Sequence, residues 1–525
     1  MITPHATLRD SAVAPFRPTN WHRFKWIARS TWEVRTGCLL LALTAVRLVI
    51  ISVTELSDTE AYYLTWSRFP DWSYYDHPPL VAWMMSATTI GSRSPFFVRI
   101  GSVLCSALFG FLVYRLAVRL FASARAGFLA VFVVSILPAF FFTSFLANPE
   151  GPLAPLWVLY LLLLLDLRHH DEPWRPLLVG AVIGVGFLAK YTALLAVPIA
   201  VLVVAFLPSA RRWLRRPSFY LAGLVALFIA SPVIFWNYQH HWPSVTLHLV
   251  ERMPSASAGT FAANALHIVL AQVLLFHPLV FPGLLAMLGV TLYRARNDER
   301  YRFLGIASGP LLLFFFFVMV RACDAEPHWT MVGYVPLAVA SGGWGDEQLG
   351  RASSLGKAYL LWLRWAVAFT SILATLYAVH VATPVIPRLL RDSAYNADAD
   401  PINETLGWDR VRAVIAEESA RLGPDAVVAS DHNVLCGHID AAIDDQPAVY
   451  CLSPRRTEFD FLGRRTPPSH VPVIYVDSAR YPGDAAIALP HHSCVRAEDV
   501  ELERGGRVLG RYRISECLPQ NEVEL

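Results

Sequence analysis

The stretch Ala126–Leu146 reads AGFLAVFVVSILPAFFFTSFL and carries no charged side chain over its whole length. Because about 20 apolar residues in helical form cross the hydrocarbon core of a bilayer, this stretch predicts a membrane-spanning helix. Comparable apolar segments recur on both sides of it. We predict about eleven spans, at residues 37–54, 96–118, 127–146, 151–167, 177–189, 191–208, 218–236, 263–292, 303–320, 329–344 and 360–382.

The eighth of these segments, 263–292, is longer than one span requires. Pro278 and Pro282 lie inside it and interrupt helical hydrogen bonding, so we expect a broken helix or a helix followed by a re-entrant piece. The composition of the whole chain agrees with this picture. Of its 525 residues 55% are hydrophobic and only 16% are charged, whereas soluble proteins average about 25% charged. A net charge of +3 also argues against a nucleic-acid-binding protein.

Basic side chains alternate in density from one loop to the next. They are frequent in residues 1–36 and in the loops near 119–125, 168–175 and 211–216, and sparse in the loops between them. The positive-inside rule therefore predicts a cytoplasmic N-terminal segment. An odd number of spans then places the C-terminal region in the periplasm, and we expect a multi-pass protein of the inner (plasma) membrane.

Residues 384–525 contain no spanning stretch and have an ordinary soluble composition. Helical spacing at 406–422, short strand patterns at 426–429, 448–452 and 471–476, and a hairpin around Gly505-Gly506 predict a small α/β domain. The membrane domain is then 37–383, with large outer loops at 55–95 and 237–262. Four of the seven cysteines lie in the C-terminal region, which predicts two disulfides in an exported domain. Three connectivities are possible, and we favour Cys494–Cys517 and Cys436–Cys451.

The first outer loop combines acids and aromatic residues at the membrane boundary. It contains Ser57-Asp58-Thr59-Glu60-Ala61-Tyr62-Tyr63 and, further on, Tyr74-Tyr75-Asp76-His77-Pro78-Pro79. A carboxylate that is partly desolvated there has a raised pKa, which suits a general base. The two prolines fix the backbone and so orient the side chains of Asp76 and His77.

These motifs resemble the first periplasmic loop of bacterial glycosyltransferase family 39, the ArnT-like relatives of protein O-mannosyltransferases, which have the GT-C membrane fold. Further segments resemble the same family in the same order along the chain. They are Asn148–Leu153, Gly186–Tyr191, Trp236–Trp242 with Arg252, Gly407–Asp409 and Glu458–Asp460.

The resemblance implies a reaction in which a sugar on a polyprenyl phosphate moves, with inversion, to an envelope lipid, glycan or protein on the periplasmic face. It implies no nucleic-acid partner. The catalytic candidates are Asp58, Glu60, Asp76, His77 and Glu150. The candidates for binding the donor phosphate are Arg68, Lys190, Tyr191, Arg252, Arg321 and His328.

The sequence departs from the family pattern in two places. The family has an Asp-Glu pair where this chain has Thr59-Glu60, with Asp58 one residue earlier, so we expect Asp58 as the base and Glu60 as the second choice. Glu150 stands where the family usually has Asp. The resemblance also suggests a divalent cation, which Asp76 and His240 would hold.

Two other functions stay open from the sequence: a transporter or flippase for lipid-linked sugars, and a non-catalytic envelope assembly protein. A transporter is expected to carry ionisable residues deep within its spans and broken helices at mid-membrane. Here the acids cluster at one surface, which favours an enzyme.

Overall fold

The structure is a computed structural model that describes residues 30–253, 258–322, 325–389, 400, 403–444, 446–504 and 507–520. Most of the predicted cytoplasmic segment 1–36 and the Gly505-Gly506 turn lie outside the described residues.

The membrane domain is built almost entirely of apolar helices, and each of the eleven predicted segments is helical. The α-helices are α1 Thr31–Val53, α2 Asp58–Arg68, α3 Leu80–Thr88, α4 Pro95–Phe121, α5 Ala124–Ser135, α6 Pro138–Thr143, α7 Glu150–Asp166, α8 Arg175–Ala189, α9 Ala196–Phe206, α10 Pro217–Gln239, α11 Pro243–Thr246, α12 Ala258–Leu275, α13 Val280–Arg294, α14 Glu299–Arg321, α15 Met331–Gly350, α16 Ser354–Ala382 and α17 Val385–Leu389. Short 3-10 turns occupy Tyr191–Leu195, Arg211–Arg215 and Pro327–Thr330, and a π-helical turn occupies Leu247–Glu251.

Five of the described helices, α1, α4, α10, α14 and α16, are by themselves long and apolar enough to cross a membrane. The eighth predicted segment bends by 105° between Phe261–Leu275 and Val280–Arg294, which confirms the expected break. The third predicted span, 127–146, also differs from a single helix. It divides into α5 and α6 just before Pro138, because proline has no N–H to continue the helical ladder.

Helix α8 is short and packs unusually close to α10. A Cβ added at Gly180 would lie 2.0 Å from the carbonyl oxygen of Ala222, so only glycine permits this approach. With 15 residues, α8 rises roughly 22 Å, less than the roughly 30 Å of a bilayer core. Lys190 follows its last residue in an extended conformation. A helix of this length that begins at one membrane surface ends inside the bilayer core, so we expect Lys190 to lie below the opposite surface.

The C-terminal domain contains one mixed sheet. Its elements are α18 Trp408–Leu422, β1 Val427–Ser430, α19 Asn433–Ile443, β2 Val449–Cys451, α20 Glu458–Phe461, β3 Val473–Ser478, α21 Ala485–Ala488, β4 His492–Arg504 and β5 Arg507–Pro519. The strand order is β2-β1-β3-β5-β4, with β1 parallel to β2 and β3, and β5 antiparallel to β3 and β4. The predicted α/β fold is confirmed.

One of the two predicted disulfides forms. Cys494 and Cys517 are bonded across the β4–β5 pair. The predicted Cys436–Cys451 bridge was wrong, because both residues are buried free thiols. The Cys436 thiol on α19 donates instead to the carbonyl oxygen of Ser430, at 3.4 Å.

The C-terminal domain docks on the first outer loop through α19, which lies across α2. Gly437 allows the contact, since its added Cβ would be only 3.0 Å from the backbone of Tyr62. The Thr65 hydroxyl donates to Asp440 at 2.5 Å, and Arg68 forms an ion pair with the same carboxylate at 3.1 Å. We call the membrane surface that carries this domain the domain face.

Candidate active site

At the domain face, four segments bring polar side chains together: the loop before α3, the start of α7, the junction of α8 with the next 3-10 turn, and the turn before α15. They contribute Asp76, Glu150, Lys190 and His328, respectively. We call these four residues the polar cluster, together with the surrounding side chains of Tyr62, Tyr63, His77, Tyr191 and His248.

Asp76 is the carboxylate of the cluster that faces tyrosine. The Tyr62 hydroxyl donates to Asp76 Oδ2 at 3.0 Å, and the His248 ring lies 3.0 Å from the Asp76 carbonyl oxygen. Loss of water around the carboxyl raises its pKa to about 6, although the Tyr62 hydrogen bond and the charge of Arg252 lower it. At neutral pH Asp76 is therefore mostly ionised and able to accept a proton.

Glu150, Lys190 and His328 form the second half of the cluster. The Glu150 carboxylate and the Lys190 ammonium form a buried ion pair. His328 Nε2 lies 2.8 Å from the same Glu150 oxygen and 3.4 Å from Lys190 Nζ. A single carboxylate thus holds two cationic or hydrogen-bonding groups side by side, an arrangement that can receive an anion.

Aromatic and imidazole rings join the two halves. The His77 ring centroid is 6.0 Å from that of Tyr63 and 6.2 Å from that of His248, and Tyr191 is 5.2 Å from His248. Burial and the nearby Lys190 charge hold the pKa of His77 well below its usual range. Burial likewise lowers the pKa of His248 to about 4. Both imidazoles are consequently neutral at physiological pH.

The Glu60 carboxylate connects α2 with α4 and with the segment that precedes α7. Its carboxylate accepts hydrogen bonds from Arg99 Nε and Nη2 at 2.7 and 2.6 Å, from the Ala147 amide at 2.8 Å, and from the backbone and hydroxyl of Ser57. Its side chain is 1% exposed. With five donors in place, Glu60 has no free position for a substrate proton.

Asp58 faces the C-terminal domain. His438 Nε2 lies 2.7 Å from one carboxylate oxygen, and the Tyr481 hydroxyl is 3.4 Å from the other. Within the described part of the chain, neither Asp58 nor Glu60 bonds to a member of the polar cluster.

Some of the predicted phosphate-binding residues lie in or near the polar cluster, and the others lie outside it. Lys190, Tyr191 and His328 belong to the polar cluster, and Arg252 is near enough to Asp76 to lower its pKa. Arg68 instead binds Asp440 and Asp444 of the C-terminal domain. Arg321 ends α14 with an exposed side chain.

The chain is similar to several known membrane glycosyltransferases. A family model described as dolichyl-phosphate-mannose-protein mannosyltransferase matches residues 76–236. The chain is 24% identical over 431 residues to lipid A galacturonosyltransferase RgtD of Rhizobium johnstonii, covering 80% of this chain and 85% of that one. It is 27% identical over 294 residues to an undecaprenyl phosphate-α-4-amino-4-deoxy-L-arabinose arabinosyl transferase of Edwardsiella ictaluri, covering 52% of this chain and 50% of that one.

Among solved structures, ArnT from Cupriavidus metallidurans superposes on 92% of this chain and 97% of its own, with a TM-score of 0.63 at 15% identity. The same enzyme bound to undecaprenyl phosphate gives a TM-score of 0.58 at 17% identity, over 93% and 98% of the two chains. The chain has the GT-C membrane fold of ArnT. The predicted resemblance to the ArnT-like family and the predicted fold class, a polytopic helical membrane protein with a small α/β domain, are both confirmed.

The candidate site includes residues that the sequence does not predict. Glu458 of the C-terminal domain is 2% exposed and donates its backbone N–H to the Tyr62 hydroxyl at 2.7 Å. Tyr62 and Tyr63 stand in the acidic and aromatic motif of the first outer loop without a predicted role, and His248 is not among the predicted site residues. The motif Glu458-Phe459-Asp460 was visible in the sequence, but nothing local connects it with a loop almost 400 residues earlier.

The surroundings of His240 do not fit the divalent cation expected at Asp76 and His240. His240 packs on the rings of Trp236 and Phe461, and its Nδ1 lies 2.8 Å from the Trp236 carbonyl oxygen. In the described ranges, no group of three or more His, Cys, Asp and Glu side chains is arranged to hold a metal ion. We therefore derive no step through a metal.

Proposed function

We propose that this protein is an inner-membrane glycosyltransferase. It moves a sugar from a polyprenyl-phosphate donor to an envelope acceptor at the domain face, with inversion, and that face is periplasmic. The observation that carries the proposal is the polar cluster, which combines the ionisable Asp76 carboxylate with the buried Glu150–Lys190 ion pair in a fold shared with ArnT. The undecaprenyl phosphate bound to the solved ArnT supports the choice of donor.

Lys190 and His328 are proposed to bind the donor phosphate. Before the donor arrives, Glu150 neutralises Lys190, so the buried lysine has a partner in the empty site. A phosphate entering from the lipid would share that lysine through a charge-assisted hydrogen bond, with Tyr191 and Arg252 nearby. When the sugar leaves, these groups stabilise the charge on the departing polyprenyl phosphate.

Asp76 is proposed to be the general base in place of Asp58. An acceptor hydroxyl attacks the anomeric carbon and gives its proton to the Asp76 carboxylate. The bond between the anomeric carbon and the phosphate oxygen breaks, and its electron pair leaves with the lipid phosphate. A pKa of about 6 suits this task, because the group is ionised at pH 7 and still basic enough to take a proton.

The acceptor that we propose is a lipid. The relative aligned over most of both chains is named for its action on lipid A, which supports a glycolipid of that type. A lipid acceptor also suits a site at the membrane boundary, since donor and acceptor would then reach Asp76 from the same bilayer.

The test is a transfer assay with the full-length protein in lipid nanodiscs. Synthetic polyprenyl-phosphate sugars serve as donors, and lipid A or an unstructured peptide serves as acceptor. Asp76→Asn should lower the transfer rate about 100-fold or more, because positioned acid–base groups contribute factors of that size. Unchanged transfer in this variant would exclude the proposed base. A flippase would move the labelled donor between leaflets without consuming it.

A further inference from the structure

One short segment of the C-terminal domain, Thr457–Phe461, reaches into the first outer loop. Glu458 and Phe459 are 2% and 0% exposed, and they belong to a four-residue helix at the contact between the C-terminal domain and that loop. Thr457 and Asp460 cap that helix reciprocally, because each side chain bonds to the backbone of the other residue. The cap fixes the direction in which the Glu458 amide points.

The hydrogen bonds of this segment have a determined direction. The Glu458 N–H can only donate, and it points to the Tyr62 hydroxyl oxygen at 2.7 Å. A phenol carries one hydrogen, so the Tyr62 hydrogen is left to donate to Asp76 Oδ2, 3.0 Å away. The Glu458 carboxylate accepts the Tyr75 N–H at 2.7 Å, next to Asp76 in sequence. Glu458 therefore fixes Asp76 from two sides.

Ring packing holds the same connection in place. Phe459 stacks on Tyr62, with centroids 6.2 Å apart and planes 22° apart. Phe461 stacks on Tyr75 at 5.7 Å and contacts Trp236 at 5.2 Å. The rings on both sides of Asp76 thus rest on the C-terminal domain, and neither can rotate without displacing this segment.

We propose that Thr457–Phe461 positions Asp76 through the Tyr62 hydroxyl, so that the C-terminal domain completes the active site instead of only covering it. Tyr62 occupies Oδ2 and leaves Oδ1 to receive the acceptor proton. Glu458 and Tyr62 are positioning residues, since they act through Asp76. The inference rests on the proposed role of Asp76 in glycosyl transfer.

Two substitutions at Glu458, compared with each other, isolate the contribution of its N–H. Glu458 is the first residue of its helix, a position where proline is favoured because the N–H there has no helical partner. Thr457 has φ −140° and ψ 175°, the extended conformation that a residue before proline requires. Glu458→Pro and Glu458→Ala both remove the carboxylate, but only Glu458→Pro also removes the N–H. The ratio of their rates therefore reports on the hydrogen bond to Tyr62.

The experiment measures kcat and KM in nanodiscs for Glu458→Pro, Glu458→Ala, Tyr62→Phe and the double variant Glu458→Pro with Tyr62→Phe. We expect kcat for Glu458→Pro to be about three- to tenfold below that of Glu458→Ala, with a similar KM, as for one lost hydrogen bond. Tyr62→Phe should lose a comparable factor. The fold-loss of kcat in the double variant should be no larger than the product of the losses in Tyr62→Phe and Glu458→Ala.

Tyr160→Phe is the matched control, because it also removes a buried hydroxyl, but one on α7 that donates to the Ala196 carbonyl of α9. Its kcat should equal that of the wild type. Equal kcat values for Glu458→Pro and Glu458→Ala would overturn the inference. If Glu458→Pro does not fold, full activity in Tyr62→Phe would overturn it instead. A failure of the proposed function is distinguishable, because Asp76→Asn would then transfer sugar normally.

Discussion

The Asp58 carboxylate lies 2.7 Å from Nε2 of His438, a residue 380 positions later in the chain. The His438 ring in turn stacks on Trp408, with centroids 4.3 Å apart and planes 5° apart. The acid that the sequence motif favours as a base is therefore joined to the C-terminal domain, and the base that we propose is Asp76.

The first prediction separates these two acids. Asp58→Asn should keep the transfer rate within about threefold of wild type, because it removes a contact between domains and not a group that takes the acceptor proton. It should also make the C-terminal domain easier to cleave in limited proteolysis. A loss of 100-fold or more in Asp58→Asn, with the domain still protected, would restore Asp58 as the base.

The second prediction concerns the buried pair of Glu60 and Arg99. Glu60→Ala leaves the Arg99 guanidinium buried without its counter-ion, which should lower the free energy of unfolding by about 3–5 kcal/mol. The measurement is thermal or denaturant unfolding in detergent. Glu60→Ala combined with Arg99→Met should recover part of that loss, since the stranded charge is gone. Equal destabilisation in both variants would contradict the pairing argument.

The third prediction is the pH dependence of transfer. The reaction needs ionised Asp76, so kcat should rise with pH through about 6 and reach a plateau above 7. Tyr62→Phe removes a hydrogen bond that favours the ionised form, which should raise the pKa of Asp76 and move this limb to higher pH. The His248 pKa of about 4 excludes that group as the source. If the rise of kcat with pH stays at the same pH in Tyr62→Phe, the titrating group is a residue other than Asp76.

The fourth prediction concerns donor binding. Lys190→Met should weaken binding of undecaprenyl phosphate about tenfold or more, because it removes a charge-assisted contact to the phosphate. The single variant also strands the Glu150 carboxylate, so the matched comparison is Lys190→Met with Glu150→Gln. This double variant should fold as well as the wild type and still bind undecaprenyl phosphate weakly, as measured by fluorescence or calorimetry in nanodiscs. Wild-type affinity in the double variant would remove Lys190 from the donor site.

Sequence reasoning succeeded where the signal is local. The apolar segments predicted the helices, and Lys190, named from the sequence as a phosphate-binding candidate, lies in the polar cluster. It was less informative where contacts join distant parts of the chain. The motif surrounding Asp58 and Glu60 gave no sign that one acid pairs with His438 and the other with Arg99. Cysteine counting likewise could not show that the Cys436 thiol is satisfied by a backbone carbonyl.

The brevity of α8 also bears on how the protein would distinguish activated sugars. A recessed ammonium group is reached along the plane of the bilayer, and a soluble nucleotide sugar would have to shed the hydration of its phosphates to get there. A donor anchored by a long hydrocarbon tail already resides at that depth. If Lys190 binds the donor phosphate as proposed, the short length of α8 would favour lipid-linked donors over soluble ones before any contact with the sugar is made.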